Sequence, residues 1–181
     1  MDLGFSPPSN SFLKEEQLNA PEVHYPLKVM ICTNCYLVQT QGFSRSEEIF
    51  HSDYAYFSSY SSTWLQHAKT YADRMVSRFG LNQSSLVVEL ASNDGYLLQY
   101  FKEKQIPVLG VEPSSNTADV ARSKGINTLV DFFGTRLAQQ MSARSQRADL
   151  LVGNNVLAHV PDIGDFVKGM KEILKPSGLI T

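Results

Sequence analysis

Beyond Ser85 the chain alternates between short unbroken apolar runs and stretches of helical periodicity. "LVVELA" (86–91) reads as a strand and "GYLLQYFKEK" (95–104) as a helix. "PVLGVE" (107–112) is a strand, and "NTADVARSKG" (116–125) a helix that ends at Gly125. "NTLVDF" (127–132) and "ADLLVGN" (148–154) are strands, each followed by a helix, over 134–145 and 163–174. "GLIT" (178–181) begins a fifth strand. Strands that are apolar throughout, rather than alternating, are those covered by helices on both faces. Strand–helix alternation predicts an α/β fold with a doubly wound, Rossmann-like parallel sheet and right-handed crossovers. A sheet that stops at Thr181 leaves an unpaired edge, which points to a truncated chain.

Upstream the pattern changes. Trp64, Ala68, Tyr71, Met75 and Phe79 recur at spacings of three and four, the stripe of a helix with a core face, closed by Gly80 and Asn82. Residues 1–45 show little helical periodicity and carry Pro7, Pro8, Pro21 and Pro26. Within them "YPLKVMICTNCYLVQT" reads as two short strands on either side of a Cys32–Cys35 turn. "SRSEEIFHSDYAYFSSYSS" is a polar, aromatic, Ser-rich connector. The expected organisation is a partial N-terminal β module over 1–45, a connector and helix over 46–84, and an α/β domain over 85–181.

Composition narrows the function. The 181 residues are 43% hydrophobic and 19% charged, with a net charge of −2, so a core is expected and a nucleic-acid partner is not. No apolar run reaches membrane-spanning length, and the first residues lack the basic and apolar regions of a signal peptide. A cytoplasmic protein is expected. Two cysteines cannot build a disulfide framework.

The strand-to-helix handover "VVELASNDGYLLQYF" (87–101) carries the chemistry. Ligands of open α/β sheets bind at such handovers. A phosphate-binding turn needs glycines, but Ala91, Ser92 and Asn93 stand here before Gly95. Glu89 and Asp94 would repel a pyrophosphate: like charges about 4 Å apart cost roughly 4 kcal/mol at an effective dielectric near 20. The missing glycines exclude a nicotinamide-dependent oxidoreductase. Asn93 suits a left-handed turn, and Asp94 is placed to cap the following helix. Glu112 ends the next strand, where an acid hydrogen-bonds ribose hydroxyls, and Pro113 fixes the exit. Asp131 and Phe132 follow the third strand and offer a polar contact and an aromatic wall to a purine. S-adenosylmethionine fits all three places. Its charged groups would lie near Glu89 and Asp94, its ribose on Glu112, and its adenine near Asp131 and Phe132.

"VVELASNDGYLLQYF", "GVEPSSNTADVARSKGI" and "NNVLAHVPD" resemble the S-adenosylmethionine-dependent C-methyltransferases of deoxysugar biosynthesis. "DLGFSPPSNSFL", "YPLKVMICTNCYLVQ" and "DYAYFSSYSSTWLQHA" extend the resemblance over nearly the whole chain. It implies a small zinc-binding module, a class I methyltransferase domain and a further C-terminal domain. The family's structural zinc is held by two pairs of cysteines. Cys32 and Cys35 match the second pair, and the first would lie before Met1. His24 is a candidate further ligand, although a tetrahedral site needs four. The family's principal acid/base residues, a Glu-His pair, would lie beyond Thr181. These 181 residues are therefore expected to bind cofactor without turnover.

The implied reaction removes a proton beside a carbonyl of a nucleotide-linked keto-deoxysugar and transfers a methyl group to the enolate. By likeness, His159 and Asn155 contact the sugar. Their four-residue spacing allows one helical face. Asn154 is a cofactor candidate, and Tyr56, then Tyr54, a candidate active-site tyrosine. Ser58 and Ser59 share that connector, which could fold over the cleft as a lid. A methyltransferase of another small molecule, or a non-catalytic binding module with a degenerate nucleoside fold, remain the alternatives.

Overall fold

Two sheets organise the molecule, and a computed structural model describes residues 1–181. The first sheet is antiparallel, with the order β1 (Asp2–Ser6), β2 (Tyr25–Ile31), β3 (Val38–Thr40). β2 and β3 are the strands expected on either side of the cysteine turn. β1 was not anticipated from the sequence, although Leu3 and Phe5 alternate with Asp2, Gly4 and Ser6. It pairs with β2 through a register shift between Asp2 and Phe5. A short helix α1 (Ser46–Ile49) follows. Met1–Tyr56 forms one compact unit and Phe57–Thr181 another, so the connector is divided at Tyr56.

The second unit contains the parallel sheet. Its elements are α2 (Ser62–Phe79), β4 (Val87–Leu90), α3 (Leu98–Glu103), β5 (Val108–Val111), α4 (Ser115–Ser123), β6 (Thr128–Leu129), α5 (Thr135–Ala143), β7 (Ala148–Val152), α6 (Ile163–Ile173) and β8 (Leu174–Ile180). The strand order is β6-β5-β4-β7-β8, all parallel. The order reverses between β4 and β7, which opens the ligand crevice of this architecture at the strands' carboxyl ends. No helix is long and apolar enough to cross a membrane.

Period-two alternation divides the core. Val87 packs with Ala68, Ala72 and Met75 of α2, Leu98 and Phe101 of α3, and Ala121 of α4. Val88 and Leu90 pack on the opposite face with Leu137 and Met141 of α5 and Phe166, Met170 and Ile173 of α6. Each large side chain so buried contributes about 1.5–3 kcal/mol. By the same alternation Glu89 points to the face that α2, α3 and α4 cover.

Four expectations change. Trp64 is 36% exposed and outside the core; it stacks on Tyr96 and His67. α3 begins at Leu98 rather than Gly95. The third strand shortens to Thr128–Leu129. The last strand starts at Leu174, straight out of α6, because Leu174 already pairs with Ala148.

Candidate functional site

The loop after β4 carries three left-handed residues within five positions, Ala91 (φ 56°), Asn93 (φ 49°) and Gly95 (φ 75°). Ala91 in that region costs roughly 1–2 kcal/mol. Strain of this kind persists where the surroundings over-determine the backbone, often at ligand sites. The loop thus takes a glycine-like path with only one glycine. Gly95 is required, because a Cβ there would run into Ile126 and Ala121. Ser92 lies buried beside Gly110, and its N–H donates to the Val111 carbonyl at 3.1 Å.

Three buried carboxylates converge here: Glu89 (0% exposed), Asp94 (2%) and Glu112 (3%). Glu112 accepts the N–H of Asn93 and the N–H of Ser114, both at 2.9 Å, on separate oxygens. It staples the β4 loop to the exit of β5. Each oxygen keeps a second lone pair for a ligand hydroxyl. Burial raises its pKa, and the two N–H donors hold the rise in check. Pro113, half-buried, follows it.

Glu89 differs. Neither of its oxygens has a hydrogen-bond partner of good geometry. Burial pushes its pKa well above the usual carboxylate range, and the Glu112 and Asp94 charges push it further. The Tyr96 hydroxyl is the one favourable influence. The Asn154 side-chain amide donates to that hydroxyl at 3.2 Å, so the ends of β4 and β7 are joined across the crevice. Burial raises the pKa of Tyr71 on α2, and the Glu89 charge adds to the rise; the Tyr71 hydroxyl meets that of Thr181.

Asp94 does not cap α3. The residue before that helix is Leu97, with no side-chain cap. One Asp94 oxygen accepts the Ser59 N–H at 3.3 Å and faces the Lys124 ammonium at 3.5 Å; the other is buried and unpartnered. Asn93 accepts the Ser58 N–H at 2.8 Å. The backbone amides of Ser58 and Ser59 thus strap the connector to the loop. Tyr56, half exposed, is the last residue of the N-terminal unit.

The remaining candidates are dispersed. Asp131 pairs with Arg136 at 2.6 Å. Phe132 is half-buried, while Phe133 packs edge-on against Phe166 at 5.2 Å. Asn155 has φ 51° and His159 ends a 3-10 turn over Leu157–His159, so the two share no α-helical face. Both are exposed. Sequence reasoning missed Tyr96, Tyr71 and Lys124. Tyr96 and Tyr71 carried only an apolar-periodicity signal, and Lys124 only that of a helix end.

In the first unit, Cys32 and Cys35 sit in the turn between β2 and β3. The Tyr36 N–H donates to the Cys32 carbonyl at 2.9 Å, and Tyr36 takes φ 61°. The N–H groups of Cys35 and Asn34 lower the Cys32 thiol's pKa, which suits a thiolate ligand. The pair fits half of a tetrahedral zinc site. No group of three or more potential ligands forms, so His24 does not join it.

Residues 64–181 match the family described as "Methyltransferase domain", and residues 1–50 that described as "Putative zinc binding domain". The chain is 31% identical over 179 residues, 99% of its length, to the C-methyltransferase NovU of Streptomyces niveus, and spans 42% of that relative. A methyltransferase described as S-adenosyl-L-methionine-dependent from Methanococcus maripaludis superposes with a TM-score of 0.50 at 13% identity, over 77% of this chain and 66% of that one. The magnesium protoporphyrin IX methyltransferase of Synechocystis PCC 6803, solved with bound cofactor, gives 0.50 at 16% identity, over 61% and 54%. At such identities the two structures speak for the fold alone.

Proposed function

The chain belongs to the methyltransferase-domain family, and on that premise we propose that it binds S-adenosylmethionine and serves C-methylation of a nucleotide-linked keto-deoxysugar. The observation that carries the cofactor reading is Glu89, fully buried, with no hydrogen bond of good geometry to either oxygen and only the Tyr96 hydroxyl nearby to favour its charge. A buried charge without a partner is costly, and a cationic ligand offsets that cost. Glu89 and Asp94 would take the cofactor's ammonium group, and Glu112 the ribose hydroxyls. Ala91, Ser92, Asn93 and Gly95 would shape the backbone around it. Pro113, Asp131, Phe132 and Asn154 would line the nucleoside.

The bound cofactor supplies a methyl group on a sulfonium. A C–H bond beside the sugar's carbonyl gives up its proton to a base. S-adenosylmethionine held by Glu89, Asp94 and Glu112 would supply the methyl group for that carbon and leave as the thioether. His159 and Asn155 would orient the sugar or stabilise its enolate oxygen. The 31% identity with a C-methyltransferase supports carbon as the acceptor. Zinc on Cys32 and Cys35 would be structural, and a tetrahedral site would need two further ligands.

Calorimetric titration of S-adenosylmethionine into the chain and into Glu89→Gln tests the reading. The substitution removes charge and volume is kept, and Glu89 has no protein hydrogen bond of good geometry to lose. The variant is expected to stay folded by circular dichroism and to bind about 1.5–3 kcal/mol more weakly. Unchanged affinity would overturn the assignment.

A further inference from the structure

Lys124 is the C-cap residue just after α4, and its side chain reaches back across the cofactor loop. Its ammonium donates to the Asp94 carbonyl at 2.8 Å and to the Ser59 hydroxyl at 2.9 Å. It also faces the Asp94 carboxylate at 3.5 Å. The Lys102 ammonium donates to the Lys124 carbonyl at 2.7 Å, which fixes the helix end from which the side chain departs. The Ser59 N–H reaches the same Asp94 carboxylate at 3.3 Å, and the Ser58 N–H reaches Asn93. Lys124 is 29% exposed on its side chain, whereas Asp94 is 2% exposed. The ion pair is therefore shielded on the loop side.

We propose that Lys124 is a positioning residue of the cofactor site: it clasps the Ser58–Ser59 strap to Asp94 and sets the site's preference for the cationic cofactor over its neutral thioether product. This rests on the cofactor reading above. Methyl transfer turns a sulfonium into a thioether, so the bound molecule loses one positive charge. A site charge therefore acts differently on the two. Lys124 offsets the Asp94 carboxylate and so moderates the hold on the sulfonium, which keeps the charged and discharged forms closer in affinity. A unit charge about 10 Å away at an effective dielectric near 20 changes a binding constant on the order of tenfold, less once salt screens it.

The test compares affinities for S-adenosylmethionine and S-adenosylhomocysteine in the unmodified chain and in Lys124→Met, Lys124→Gln and Lys124→Arg. In the Met and Gln variants the preference for the sulfonium form should rise roughly threefold to tenfold, and Arg should restore the original ratio. The backbone amide of Ser59 should exchange with solvent at least about tenfold faster in the neutral variants without any ligand. Loss of a merely structural contact would weaken both ligands equally and leave their ratio unmoved; that result overturns the proposal. An unmodified chain that binds neither ligand overturns the cofactor reading itself. The side chain lies at a helix end outside the core, so the Gln variant keeps the test open if Met misfolds.

Discussion

At the scale of single residues, Glu89 links folding to ligand binding. Its folded pKa is raised, chiefly by burial, and that of Glu112 is raised for the same first cause. Between the ordinary carboxylate range and the raised values, the folded chain holds protons that the unfolded chain has released. The stability these groups contribute is full below the ordinary range and is lost as pH rises through the folded pKa. The melting temperature without ligand should fall as pH is raised from about 5 to about 7.5, and more shallowly in Glu89→Gln. Affinity for a cationic cofactor should move the opposite way, since it needs the ionised form. Scanning calorimetry across that range decides it, and a melting temperature that climbs with pH would refute the burial argument. Glu89 and Glu112 were legible in the sequence because strand-end acids follow from strand assignment alone. Tyr96, Tyr71 and Lys124 were not. Their roles depend on how each helix is rotated against the sheet, which spacing does not specify. Asn155 and His159 were misread as one helical face because Asn155 adopts a left-handed conformation that four-residue spacing cannot reveal.

At the scale of elements, the strands were readable because apolar runs such as "LVVEL" have no other way to be buried on both faces. Helix starts were less readable. Asp94 looked like a cap, but Asn93 and Asp94 turn their side chains to the amides of Ser58 and Ser59. The loop consumes its own capping group, and α3 starts three residues later, at Leu98. α6 shows the ordinary case. The Asp162 side chain accepts the Asp165 N–H at 2.9 Å, and Asp165 in turn accepts the Thr135 N–H at the start of α5. Asp162→Ala should therefore cost about 1 kcal/mol of stability. Asp162 is exposed and distant in sequence from the acids of the loop, so cofactor affinity should be untouched. Chemical denaturation alongside calorimetric titration separates the two effects; full stability in the variant would show that the cap contributes nothing. Trp64 marks the limit of the stripe argument: it has the spacing of a core residue, yet the small Ala68 and Ala72 carry α2 against the sheet.

At the scale of the whole molecule, the two units have different sources of order. Every buried side chain lies within Phe57–Thr181, and nearly all the apolar ones fall in the two clusters that sandwich the parallel sheet. Met1–Tyr56 has none: its three strands leave Leu3, Phe5, Met30, Ile31 and Val38 more than half exposed. A sheet without a covered face relies on its ladder hydrogen bonds, and these contribute little in water. The sequence foreshadowed this, since residues 1–45 combine four prolines with a single CxxC turn, which suits a module completed by metal rather than by a core. Amide hydrogen exchange should then divide the chain near Tyr56. Amides of β4, β5 and β7 should exchange by global opening, and those of β2 and β3 by local opening, faster by on the order of a hundredfold or more. S-adenosylmethionine should slow exchange in the loop after β4 and leave β2 unchanged, because the acids that would hold it all belong to the second unit. Equal protection in the two sheets would mean that the N-terminal unit has stabilising contacts beyond its own ladder, and would place the source of its order elsewhere than in a completed metal knuckle.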